Sequence, residues 1–157
     1  MITFKPTQIS DIPAIVEMMS EFYAIDNYPI DAEKSRSLFA KFISDENYGK
    51  AWLIFDGQEI AGYMILTYVF SFEYGGKIAF IDELYIKENC RGKGIGKSSV
   101  VFLKTEAAKL SLKLLYLEVE HHNSNAQKLY LAAGFELHKR NIMKYKVNTI
   151  WNRHYGC

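Results

Sequence analysis

Three stretches of this sequence have the residue types and spacing to do chemistry. The first is Arg91-Gly92-Lys93-Gly94-Ile95-Gly96-Lys97, with glycine at alternate positions among basic residues. Glycine lets a backbone come close to a bulky anion. A helix starting there would aim free N–H groups and its positive dipole end at that anion. The chemistry is phosphate binding. The second is the run Ile81-Asp82-Glu83-Leu84-Tyr85-Ile86 just upstream, which carries two adjacent carboxylates. A carboxylate in a cleft can take a proton from a nucleophile. Glu118 and Glu120 offer a second pair. The third is His121-His122-Asn123 followed by Tyr130. Imidazole, amide and phenol groups can orient a ligand or move protons. From spacing alone, Tyr130 reads equally as a core aromatic on the stripe of Ala126 and Ala133.

Spacing excludes two common phosphate motifs. A P-loop needs a glycine five residues before Gly-Lys-Ser/Thr, and Arg91 occupies that place before Gly96-Lys97-Ser98. A dinucleotide fingerprint needs Gly-x-Gly-x-x-Gly, whereas the spacing here is Gly-x-Gly-x-Gly. Cys90 and Cys157 make no disulfide framework, and no Cys/His pair has zinc spacing, so no metal is expected. The two histidines also read as solvated loop residues, and Lys93 and Lys97 either reach phosphates or only face water.

These residues need elements to position them. Residues 2–5 are extended and end at Pro6. Ile12, Ile15, Val16, Met19 and Phe22 keep helical spacing, which predicts a helix over 11–24. Asn27-Tyr28-Pro29 breaks it, and Asp31 can cap a second helix reaching residue 44. Residues 51–55, 60–72 and 77–86 are strand-like and are separated by Asp56-Gly57 and Gly75-Gly76, an antiparallel meander. A helix over 94–110, a strand over 114–119, a helix from Ser124 to Ala133 and a final strand pair within 135–147 follow. The fold class is α/β, a mixed and mostly antiparallel sheet with helices on both faces. Residues 1–147 read as one domain and 148–157 as a tail. Strand alternation sends Asp82 and Glu83 to opposite faces, with Asp82 in phase with Leu84 and Ile86.

The chain has 157 residues and a net charge of +1. One sizeable core is affordable at that length, and nothing in the charge points to nucleic acid or a membrane. The N-terminus does not look like a signal peptide, no apolar run spans a bilayer, and a reduced, cytoplasmic setting is expected.

Arg91-x-x-Gly94-x-Gly96 resembles the Arg/Gln-x-x-Gly-x-Gly/Ala signature of the GCN5-related N-acetyltransferase (GNAT) superfamily. The likeness extends upstream to Leu84-Tyr85-Ile86 and downstream to Asn123-x-x-Ala126-x-x-Leu129-Tyr130-x-x-x-Gly134-Phe135. It implies the GNAT fold over residues 2–146 and acetyl-CoA as donor. It implies that backbone amides from Arg91 through Gly92, Lys93, Gly94, Ile95 and Gly96 to Lys97 hold the pyrophosphate. Leu84 and Ile86 would pair with the pantetheine arm like an added strand, and Asn123 would bond it from the other side. Tyr130 would protonate the leaving thiolate, and the Ile86 N–H would stabilise the developing oxyanion. As base, Asp82 ranks first, Glu83 second and Glu120 third, each of which also reads as a solvated strand carboxylate.

The acceptor expected is a small cationic amine: a polyamine, an aminoglycoside or a lysine-like metabolite. Glu17, Glu21, Asp26 and Asp31 make the first helices acidic, with Tyr23 and Tyr28 interleaved. The rival readings are a non-catalytic acyl-CoA sensor and a protein-lysine or N-terminal acetyltransferase. A homodimer contact through Tyr145, Trp151 and Tyr155 is the expectation for assembly.

Overall fold

The computed structural model describes residues 1–147. Five strands form one sheet in chain order: β1 (Ile2–Pro6), β2 (Gly49–Asp56), β3 (Glu59–Ser71), β4 (Gly76–Ile86) and β5 (Leu115–Leu117). Neighbours from β1 to β4 run antiparallel, and β5 runs parallel to β4. Two helices, α1 (Ile12–Ile25) and α2 (Ala32–Ser44), lie between β1 and β2. Helix α3 (Ile95–Lys109) makes the crossover that a parallel pair requires, and α4 (Ser124–Ala132) follows β5. None of the helices among the described residues is long and apolar enough to cross a membrane.

Each sheet face buries its own apolar cluster. Ile15, Val16, Met18 and Met19 of α1 pack with Phe39 of α2 on Ala51, Leu53, Tyr63, Ile65 and Tyr85. The opposite face joins Trp52, Ile54, Met64, Leu66, Ala79 and Ile81 to Ile95 and Leu103 of α3. The alternation in β2 and β3 sends successive residues to opposite faces, so nearly every side chain in their middles is buried. Helix α2 is capped as the sequence suggests, with the Asp31 carboxylate accepting from the Lys34 N–H at 3.0 Å. Asp11 differs: it bonds back to the Gln8 N–H at 2.8 Å and does not cap α1 with its side chain.

Two expectations are corrected. Strict alternation through β4 fails at Asp82. Ile65 pairs with Glu83 and Leu66 pairs with Ile81, so Asp82 is an extra, unmatched residue, a β-bulge. Ile81 and Leu84, three apart, therefore pack on the same cluster. Glu83 and Tyr85 turn toward α1. The second correction is at the C-terminal side, where residues 135–147 form no strand pair. Glu136 to Asn141 contains one apolar residue, Leu137, and so has no face to bury. Side chains tie it down instead: His138 lies over Tyr116 with ring centroids 5.2 Å apart, and Arg140 grips Glu73 at 2.9 Å. Tyr145 is exposed. Trp151, Tyr155 and the rest of the expected tail lie outside the described residues.

Candidate active site

The site starts from where β4 loses a neighbour. β5 pairs with β4 only at Ala79–Leu115, Phe80–Tyr116 and Ile81–Leu117. Beyond the Asp82 bulge the two strands part. The Lys87 N–H donates to the Ala61 carbonyl of β3 at 2.9 Å. In an antiparallel ladder, main-chain groups alternate sides. Tyr85 and Glu83 therefore also face β3, while the N–H and C=O groups of Leu84 and Ile86 face the gap. The Ile86 carbonyl is met there by the Arg91 Nε–H at 3.0 Å. The gap is an open strand edge of the kind that binds an extended amide chain.

At its end stands the glycine turn. Gly94 is the N-cap of α3 at φ 78° and ψ 4°, and no side chain caps the helix. The first helical bond runs from the Ser98 N–H to the Gly94 carbonyl at 3.0 Å. The N–H groups of Ile95, Gly96 and Lys97 thus have no acceptor within the helix and point out of its positive end. Lys93 and Lys97 are exposed beside them. A Cβ at Gly92 or Gly94 would meet nothing within 4 Å, so the turn borders open space. Gly96 instead packs toward Leu129 of α4, 3.3 Å from where its Cβ would be.

The two carboxylates at the bulge have unlike surroundings. Asp82 is exposed, yet crowding by protein atoms and then the charge of Glu118 hold its carboxyl above its ordinary value. Glu83 is 8% exposed and both of its oxygens are taken. The Tyr23 hydroxyl donates to Oε1 at 2.6 Å, and the Tyr63 hydroxyl donates to Oε2 at 2.5 Å. Burial raises the Glu83 pKa, the two tyrosine hydrogen bonds pull it down, and Asp82 adds to the rise. Tyr23 and Tyr63 are both pushed far up, by burial first and by Glu83 next.

Across the gap, Tyr130 of α4 packs on the same apolar cluster as Leu84 and Ile86 and lies edge-on to Phe135 at 5.5 Å. Burial pushes its hydroxyl up to about 12, with no hydrogen bond contributing. It stays protonated at neutral pH and free to donate. Asn123 caps α4, its Oδ1 accepting from the Ala126 N–H at 3.1 Å, which leaves its Nδ2 donors for a ligand. Glu120 accepts from the Tyr28 hydroxyl at 2.5 Å. His122 pairs with Asp26 at 2.8 Å. Among the described residues, no group of three or more His, Cys, Asp or Glu side chains could hold a metal ion.

An open strand edge running into an uncapped glycine turn is the geometry expected from the resemblance. A profile of the acetyltransferase (GNAT) family matches residues 13–135. The chain belongs to this family. It is an acyl-CoA-dependent N-acetyltransferase by that membership. Among GNAT relatives, the D-amino-acid N-acetyltransferase HPA3 of Saccharomyces cerevisiae is 27% identical over 149 residues, covering 89% of this chain and 91% of the yeast protein. An integron cassette protein from the mobile metagenome of Cole Harbour Salt Marsh superposes with a TM-score of 0.83 at 30% identity, covering 92% of this chain and 90% of that one. A predicted acetyltransferase of Clostridium acetobutylicum, solved with acetyl-CoA, has a TM-score of 0.76 at 15% identity, covering 98% and 100%.

Three features of this GNAT site were missed by sequence reasoning. The bulge leaves no composition signal. The Arg91 bond to Ile86 depends on the turn bringing residues five apart together. Tyr63 carried the one usable signal: a phenol in the apolar run Ala61–Leu66 needs a buried acceptor, and Glu83 is that acceptor.

Proposed function

We propose that the protein moves an acetyl group from acetyl-CoA to the amine of a small cationic acceptor, by direct transfer. The observation that carries this reading is the gap after the bulge. It brings the free edge of Leu84 and Ile86, the uncapped start of α3 and the unpaired hydroxyl of Tyr130 to one place. These residues fit acetyl-CoA: the Ile95, Gly96 and Lys97 amides, with Arg91 and Lys93 nearby, suit a pyrophosphate. Leu84 and Ile86 suit the amides of the pantetheine arm, and Asn123 Nδ2 suits its other side. Gly92 and Gly94 keep the turn open to so large an anion. Acetyl-CoA supplies the activated acyl thioester.

Asp82 acts as base, taking a proton from the acceptor ammonium. It is exposed, and its raised pKa brings it nearer to the range useful for that task. The Ile86 N–H faces developing negative charge. Tyr130 holds its proton until the thiolate leaves. Glu83, with both oxygens bonded to tyrosines, is unsuited to be the base.

A cationic acceptor is supported by the acidic surroundings, Asp82 with Glu118 and Glu21 with Glu120. An amino-acid acceptor is the second reading. It is favoured by the name of the yeast relative and by a polar recess where Lys87 and Arg91 lie beside Glu21. A thiol-release assay with putrescine and with alanine, an amino acid of no net charge, separates the two. Faster turnover of putrescine supports the cationic reading, and faster turnover of alanine refutes it. Binding of acetyl-CoA without turnover of any amine would return the protein to the sensor class.

A further inference from the structure

Three phenols around α1 and β4 have protons that are already committed to carboxylates. Tyr23 donates to Glu83 at 2.6 Å, Tyr85 donates to Glu21 at 2.7 Å, and Tyr28 donates to Glu120. A phenol has one proton. Once that proton is held by a carboxylate, the oxygen offers only lone pairs to anything else. Of these pairs, Tyr23–Glu83 is the best fixed. Glu83 is buried, and its second oxygen is anchored by Tyr63, which is fully buried. Tyr23 is half-buried. Through Glu83, which follows Asp82 in sequence, its hydroxyl is joined to the bulge where β4 and β5 part.

We infer that Tyr23 positions the acceptor: held by buried Glu83 as a hydrogen-bond acceptor only, its oxygen receives an N–H of the incoming ammonium and turns away a carboxylate. Glu83 is then a positioning residue that acts through Tyr23. The chemistry follows from the bonding. An ammonium carries donors and no acceptors; a carboxylate carries acceptors and no donors. An oxygen that cannot donate is complementary to the first and repels the second, and the Asp82 charge reinforces both effects. The arrangement also explains why a carboxylate is buried in the sheet next to an apolar cluster, where an unpartnered one would be strongly unfavourable. This inference rests on the cationic-acceptor reading and names the group that enforces it.

The test is steady-state kinetics of the full chain at saturating acetyl-CoA, with putrescine and alanine as acceptors. Tyr23→Phe keeps the ring and deletes the lone pairs. It should raise the KM for putrescine about tenfold, the size of one hydrogen bond to a charged group. It should leave kcat and the acetyl-CoA KM within about twofold, as expected for an interaction equal in ground and transition states. Glu83→Gln replaces one of the two acceptor oxygens with a donor group, which loosens the hold on the tyrosine protons. It should raise the putrescine KM and narrow the preference over alanine, with the acid limb of the pH–rate profile unmoved. An unchanged putrescine KM in Tyr23→Phe overturns the inference. A Glu83→Gln enzyme that loses kcat together with the acid limb also overturns it, because Glu83 is then the base. If Glu83→Gln fails to fold in a thermal melt, Tyr23→Phe decides alone. If turnover is too slow to measure, equilibrium binding of putrescine to the CoA-loaded protein replaces KM: a tenfold weakening in Tyr23→Phe supports the inference, and equal binding overturns it. Wild-type preference for alanine refutes the cationic reading itself. Wild-type preference for putrescine with an indifferent Tyr23→Phe refutes only the role of Tyr23.

Discussion

Gly94→Glu tests the proposed pyrophosphate site at the cap of α3. Gly94 caps α3 at φ 78°, in the left-handed region, where a side chain costs about 1–2 kcal/mol. A Cβ there meets nothing within 4 Å, so no clash adds to that cost. The fold should survive with a melting temperature lower by a few degrees, at about 2–4 °C per kcal/mol. The new carboxylate joins the cap of a helix whose Ile95, Gly96 and Lys97 amides await an anion. Two unit charges about 4 Å apart near a protein surface repel by about 4 kcal/mol. Half of that, after screening by salt, still corresponds to roughly thirtyfold weaker binding. Titration calorimetry should therefore give a CoA Kd at least that much weaker than wild type. Pantetheine, which lacks the pyrophosphate, should bind both proteins equally. A CoA Kd within about threefold of wild type in a folded variant would refute the pyrophosphate assignment. So would an equal loss for pantetheine, because the defect would then lie elsewhere in the gap.

The remaining predictions address the chemistry and the frame. Tyr130→Phe removes a hydroxyl that makes no hydrogen bond among the described residues, so its melting temperature should match wild type; kcat should fall about a hundredfold if the phenol is the acid, and unchanged turnover would return Tyr130 to the core. Asp82 should act only when ionised, so kcat/KM should rise with pH through a value above that of ordinary aspartate, and Asp82→Asn should abolish that limb. The same raised pKa has a stability consequence. The unfolded chain releases the Asp82 proton first as pH rises, so folding stability should decline from the ordinary aspartate pKa up through the raised one and then level off; Asp82→Asn melts should lack this component. Gly62→Ala should destabilise the fold by at least 1–3 kcal/mol, roughly, as seen in calorimetry, because its Cβ would sit 2.1 Å from the Tyr85 carbonyl oxygen of the neighbouring strand.

Periodicity and punctuation alone gave most of the elements. The helix over 11–24 appears as Ile12–Ile25, and the meander between Asp56-Gly57 and Gly75-Gly76 appears as β2, β3 and β4. Local rules suffice there because burying one helix face or both sheet faces requires a repeating apolar pattern. The glycine turn was legible for a similar reason: its φ of 78° at Gly94 is a backbone requirement that residue type expresses directly. The final strand pair within 135–147 did not form, because Glu136 to Asn141 offers one apolar residue and no face to bury.

What the sequence determined about this protein is its family and its glycine turn, which depends on main-chain amides and the glycines that free them. The tertiary structure alone separated the two carboxylates. Asp82 and Glu83 are neighbours of the same charge, and strand alternation ranked them without a physical basis for the choice. A one-residue bulge leaves Asp82 exposed at the parting of β4 and β5. The same bulge turns Glu83 under α1, against hydroxyls 60 and 20 residues away in the chain. Burial and hydrogen-bond partners depend on contacts far apart in sequence, and those contacts separate a candidate base from a buried anchor.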